Sequence, residues 1–394
     1  MRSDKWKFNR HELAGAFGDL GTLVPLVTAM IIINKVNAKG LFLSFGLLYI
    51  YSGLFFGLPV SVQPMKFIAT IMITENLSPS YLLGAGLFVG VFYIMLALTN
   101  AISLISRITP KAVIKGIQFG LGLNLLLLAM QFMLGDGLFG WILSIVGVAI
   151  VLILINGKRL PPALLLLPLG ISFSMIYNNF PFGIFTTGIE IGLPQFSVPT
   201  VSDITQGALL LAIPQIPLTL SNAILATSEL SRDFFGKKKQ VSTRRLSISH
   251  GFMNLVSVAL GGIPVCHGAG GMAGHYRFGA RTGGAMIIIG TAFTLLSIFY
   301  GDAIYQILSL IPFSILGVLL LFSGIELVKT VKGIIPQKTD FLIALLVGLT
   351  TIIFRYGYYG YVIALVGGIL LFYIIKNFER FKKRKKPSKE GNIP

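Results

Sequence analysis

The chain has 394 residues, 54% of them hydrophobic and only 12% charged, with a mean hydropathy of +0.83. Soluble domains carry about a quarter charged residues, so the composition excludes one. The net charge of +18 sits in short runs between and beyond apolar stretches, which the positive-inside rule explains with no nucleic-acid partner.

The first eleven residues are basic and polar, and the apolar run after them lacks a small-residue cleavage site, so no cleavable signal is expected. A membrane helix needs about 20 mostly apolar residues. The apolar runs are long and unbroken, unlike the alternating strands of a membrane β-barrel. They predict an all-α polytopic membrane protein, a single transporter domain over 1–394. Spans are expected at about 12–33 and 40–57, a short one at 64–76, then 81–105, 110–133, 137–156 and 161–178. A polar extracellular loop without Lys or Arg covers 179–203. Further spans follow at about 204–231 and 245–262, a short one at 268–278, then 283–300, 304–328, 340–354 and 359–375, with a basic cytoplasmic tail at 376–394.

These fourteen spans place both termini in the cytoplasm. Of the 32 Lys and Arg residues, only Lys35, Lys39 and Arg355 then fall outside and only Lys66 lies within the membrane. The halves 1–178 and 204–375 share motifs. Gly57-Leu58-Pro59-Val60-Ser61 answers Gly262-Ile263-Pro264-Val265-Cys266, and Ile108-Thr109-Pro110 answers Leu310-Ile311-Pro312. Seven spans per copy is odd, so the copies are inverted. Inverted repeats with short interrupted segments in matching places point to a secondary transporter with a midplane site.

Pro59-Val60-Ser61-Val62-Gln63-Pro64 favours an extended strand, after which Pro64 suits a helix start. Pro264-Val265-Cys266-His267-Gly268-Ala269-Gly270-Gly271 repeats the plan. In hydrocarbon the two strands must satisfy their backbone groups, most simply on each other. Each half-helix then directs free N–H groups and its positive dipole end at one central space, which suits an anion. Gly268, Gly270 and Gly271 would let a tetrahedral oxyanion touch backbone; close helix packing is the plainer use of such glycines.

Gly18-Asp19-Leu20-Gly21-Thr22-Leu23-Val24-Pro25, then Pro59 to Lys66, then Pro264 to Arg281 resemble the molybdate transporter family, a branch of the sulfate permease superfamily. The resemblance implies seven plus seven inverted spans divided into core and gate domains, and transport of molybdate or a similar oxyanion across the plasma membrane. Too few residues follow Lys376 for the STAS domain of classical sulfate permeases, which favours the molybdate branch. A homodimer, proton coupling and uniport all stay open, as does the order of molybdate, sulfate and tungstate.

Lys66, in the first turn of the third span, is functional or paired with an acid, because a lysine at mid-membrane is expensive. Asp19 is its expected counter-charge, able to hold it or to change protonation. Gln63 can donate an amide hydrogen to an oxyanion or cap its own helix. His267 holds the matching place and reads as a ligand or as a satisfied structural histidine. Thr22 in span 1 and Ser221 and Asn222 in span 8 are equivalent by repeat and carry suitable donors. Met65, Gly268, Ala269 and Gly270 complete the binding set at the two half-helix starts. Arg277 lies about 15 Å beyond the second start and reads, with Arg281, as an inner-mouth or interface residue.

Catalysis is not expected. Cys266 and His267 are consecutive in a strand and point to opposite faces. His250, His267 and His275 lack the spacing of a metal site, so no metal or cofactor is called for. The stronger rivals are a passive anion channel and a nucleobase permease of the same architecture. Such permeases usually place carboxylates in spans 8 and 10, and neither span has one at its centre here.

Overall fold

The computed structural model describes residues 6–99, 101–102, 110–154, 157, 161–177, 198–301, 303–354 and 360–384. Most of the expected loop 179–203, the basic residues Arg107, Lys158, Arg159 and Arg355, and the tail beyond Arg384 lie outside them.

The described chain is mostly helical. Asn9 caps α1 (Arg10–Ala16), its side chain accepting from His11 N and Glu12 N. The first span, expected as one helix, is broken: α2 (Leu20–Ile33) follows at 40° to α1. Asp19 stands at that break in the N-cap position, without capping α2 through its side chain. Then α3 (Ala38–Phe56) ends at Gly57, whose φ of 66° suits glycine. The short segments come next, β1 (Gln63–Pro64) and α4 (Lys66–Glu75), followed by α5 (Pro79–Thr99), α6 (Lys111–Gly135), α7 (Gly137–Leu154) and α8 (Pro162–Tyr177).

The second half opens with the long helix α9 (Val201–Phe235), which widens into π-turns at Gly207–Ala212 and Thr219–Leu225 on either side of Pro214 and Pro217. Each proline lacks the N–H for an ordinary helical bond, so the ladder adjusts around it. Then come α10 (Thr243–Ala259), β2 (Val265–Cys266), α11 (Ala269–Arg277) and α12 (Gly284–Tyr300). The expected span 304–328 is two helices, α13 (Ala303–Ser309) and α14 (Phe313–Lys329). Pro312 is the N-cap of α14, and Pro110 holds the same position on α6, both extended. A proline disfavours helix in the residue before it, which separates α13 from α14. The chain continues through α15 (Lys338–Ile353) and α16 (Gly360–Arg384).

Among the described residues seven helices are long and apolar enough to cross a membrane, or up to nine if each bent pair is one span. The multi-pass membrane assignment stands on these helices. Their outer surfaces are apolar, as at Leu138, Ile142, Ile145 and Ile153 on α7 and Val366, Leu370 and Ile374 on α16. Three long antiparallel contacts organise the interior: α3 lies along α12, α5 along α10, and α6 along α14. Two need glycine. A Cβ on Gly290 would stand 2.6 Å from the Gly46 carbonyl, and one on Gly122 would stand 2.8 Å from that of Gly324. Small residues let helix backbones approach in just this way.

Candidate anion site at the crossed half-helices

The two extended segments pair, as the sequence leads one to expect. β1 and β2 form an antiparallel ladder with Gln63 opposite Cys266 and Pro64 opposite Val265. Met65 N donates to Pro264 O at 3.1 Å and Ser61 Oγ to Gly268 O at 2.9 Å. Serines on the preceding helices hold what the ladder leaves: Ser52 Oγ donates to Val60 O and Ser257 Oγ to Ile263 O, each at 2.6 Å. Asn254 takes both groups of Val265. Irregular backbone is thus satisfied inside protein.

The ladder brings the starts of α4 and α11 together at a cavity of about 440 Å³. Asp19 and Thr22 enter it from the first span, Gln63 and Lys66 from the first short segment, and Gly270 and Gly271 from the second. It extends past Gly274 to Arg277, Phe278, Pro161 and Glu326, with Leu319, Phe322 and Ser323 of α14 as the facing wall. A Cβ on Gly270 would meet nothing within 4 Å, so the first turn of α11 presents bare backbone to this space. A pocket of about 30 Å³ adjoins on the α9 side, where Gln118, Gln215, Thr219 and Asn222 join Gln63, Lys66 and Cys266.

Five of the expected residues therefore share one cavity: Asp19, Thr22, Gln63, Lys66 and Gly270. Asn222 lines only the small pocket, and Ser221 lines neither. Met65 is packed in the core, 1% exposed. Gly268 and Ala269 do not line the cavity; at Gly268 the Gln63 side-chain carbonyl fills the place of a Cβ.

The packing selects between two readings of His267 and corrects one expectation for Asp19. His267 is fully buried and outside both cavities, with Nδ1 on Ser61 O at 2.9 Å and Nε2 on Ser249 Oγ at 2.8 Å. It is the satisfied structural histidine, because the alternation that turns Cys266 toward the pocket turns its neighbour away. Nor is Asp19 the partner of Lys66. Asp19 Oδ2 accepts from Tyr49 Oη at 3.3 Å and faces His275 Nε2 at 3.5 Å, while no ion pair to Lys66 occurs among the described residues.

Residues not singled out as site residues from the sequence are His275, Tyr49, Gln118 and Gln215. Gln215 Oε1 accepts from Phe67 N at 3.2 Å, covering one free donor of α4 and leaving α11 the barer of the two helix starts. An amide between Pro214 and Pro217 in an apolar run was the available signal for it. His275 lies four residues beyond Gly271, on the same helical face.

A family model described as a molybdate transporter of the MFS superfamily matches residues 11–125 and 207–327. The chain belongs to the molybdate transporter family. It is 32% identical over 380 residues to molybdate transporter 2 of Arabidopsis thaliana, covering 84% of this chain and 81% of that one. Molybdate transporter 1 of the same plant is 28% identical over 428 residues, covering 96% and 91%. The fold of this molybdate transporter family member also matches solved structures. The transmembrane domain of a cyanobacterium bicarbonate transporter, BicA, superposes with a TM-score of 0.62 at 18% identity, covering 86% of this chain and 96% of that one. Murine solute carrier 26 family member A9, an anion transporter in the inward-facing state, gives a TM-score of 0.69 at 13% identity, covering 94% and 70%. As a member of a transporter family, the chain is a membrane transporter and not an enzyme.

Proposed function

We propose that the protein imports a tetrahedral oxyanion, molybdate before sulfate, by alternating access across the plasma membrane with both termini in the cytoplasm. One observation carries the reading: Lys66, without an ion pair among the described residues, shares a cavity with the bare first turn of α11. A helix start offers oriented N–H groups and a positive dipole end, and Lys66 adds a formal charge. Together with Thr22 and Gln63 they suit a dianion with four acceptor oxygens. The names of the plant relatives favour molybdate among such dianions.

Fourteen spans in two inverted copies of seven, 1–178 and 204–375, fit the packing. The α3–α12 and α5–α10 contacts exchange under that symmetry, and the paired ladder and the Pro110 and Pro312 caps lie at equivalent places. The ladder then lies at the repeat axis, near the midplane. With Arg277 and Glu326 at its far end, the cavity opens toward the cytoplasm, an inward-facing state.

Uptake of labelled molybdate into proteoliposomes, competed by sulfate, tungstate and phosphate, tests the reading. Saturable uptake suppressed most by tungstate and molybdate is expected. Saturable nucleobase uptake with no oxyanion uptake would overturn it.

A further inference from the structure

The first span breaks at Asp19, and the break seats a carboxylate beside a histidine deep in the protein. Asp19 is 4% exposed and His275 fully buried. His275 Nδ1 lies 2.8 Å from Gly15 O. A carbonyl oxygen only accepts, so Nδ1 carries a hydrogen and donates it. Nε2 then faces Asp19 Oδ2 at 3.5 Å. In a neutral ring it presents a lone pair to a carboxylate, two acceptors with nothing between them. Asp19 Oδ1 and His275 Nε2 are both buried without a hydrogen-bond partner among the described residues. The orphaned Nε2 and the Oδ2 it faces, which already accepts from Tyr49, are then two acceptors in contact, and a single added proton satisfies that contact.

We infer that Asp19 and His275 together form a proton-binding site that couples proton entry to oxyanion transport. The inference rests on the transport reading above. Without the proton the pair carries one negative charge; with it the pair is neutral. Asp19 lines the cavity proposed for the anion, so a dianion binding beside Lys66 meets either a carboxylate or a neutral pair. Like charges in a poorly solvated site repel, and the loaded state is easier to form when the proton is also bound. By reciprocity the anion also draws the proton in.

The surrounding groups leave this logic intact. From α3, Tyr49 donates its hydroxyl to Asp19 Oδ2 and supplies no charge. From the ladder, Cys266 is buried and opens on the small pocket. From α4, Lys66 attracts the anion in either protonation state. Arg277 of α11 and Glu326 of α14 are exposed at the far end of the cavity. From α1, Glu12 is turned to the loop before α12, accepting from Arg281 N and Thr282 N at 3.0 Å.

The test is molybdate influx into proteoliposomes with trapped pyranine, the membrane potential clamped by potassium and valinomycin. In the unaltered protein the lumen should acidify in proportion to molybdate entry. In Asp19→Asn the proton-to-molybdate ratio of whatever influx remains should fall to background. His275→Gln carries the same comparison if Asp19→Asn does not insert. Molybdate influx without acidification in the unaltered protein overturns the coupling and leaves the transport reading standing. An unchanged ratio in either variant also overturns it, since the proton then travels elsewhere or on the anion itself. If no molybdate enters at any pH, the transport reading fails and takes this inference with it, an outcome recognised by the absence of anion movement.

Discussion

The side-chain carbonyl of Gln63 stands where a Cβ on Gly268 would have to be. Two residues from opposite halves of the chain thereby set each other's position, one strand register away from the Gln63–Cys266 pair. Gly268→Ala should push the Gln63 amide out of its place between the two cavities. Overpacking of this kind costs about 1–3 kcal/mol. The expected result is a folded protein with lowered melting temperature and molybdate affinity reduced by about tenfold or more, about 1.4 kcal/mol of binding energy. Thermal melting in detergent and equilibrium binding measure the two effects; unchanged affinity would show that Gln63 does not touch the anion.

Gly270 and Gly271 are neighbours with opposite surroundings. A Cβ on Gly270 meets open space, whereas one on Gly271 would lie 2.5 Å from Ser61 Oγ and 2.6 Å from Asp19 Oδ2. Gly270→Ala should leave melting unchanged and weaken molybdate binding by placing a methyl group in the cavity. Gly271→Ala should lower stability first. Equal melting temperatures for the two variants would contradict this packing.

Among the described residues Lys66 has no carboxylate partner to strand. Lys66→Met should therefore express and melt like the unaltered protein while losing about tenfold or more in molybdate affinity, about 1.4 kcal/mol. A stability loss of about 3–5 kcal/mol, the cost of breaking a buried ion pair, would instead reveal a buried acid held by this lysine. Chemical denaturation beside the uptake assay separates the two.

His267→Ala removes the ring between Ser61 O and Ser249 Oγ and opens a hole beside Phe56 and His250. Each buried group left unsatisfied costs about 1–3 kcal/mol. Melting temperature should fall clearly, while the folded fraction binds molybdate within about threefold of normal, under 1 kcal/mol. A large affinity loss with unchanged melting would return His267 to the binding set.

Composition, apolar run length and proline chemistry act locally, and what they determine was legible in the sequence. The membrane class and the two extended segments, each followed by a short helix, follow from residues within a few positions of one another, although Pro64, expected to open the first short helix, lies in β1 and α4 begins at Lys66. So does the expectation that two extended strands in hydrocarbon must find each other. The breaks at Asp19 and before Phe313 were less legible, because neither interrupts the apolar count that marks a span.

Which polar groups meet was decided only by the tertiary structure. Lys66 and Asp19 are the nearest opposite charges by sequence logic, yet Asp19 turns to Tyr49 and His275, the latter more than 250 positions away. His267 and Gly270 sit three residues apart, yet one is sealed against Ser249 and the other faces open cavity. Residue types specify what a side chain is able to donate or accept. Its partner depends on where two remote helices cross, and the mutual fit of backbones at contacts such as Gly46 with Gly290 sets that crossing, which no short stretch of sequence encodes.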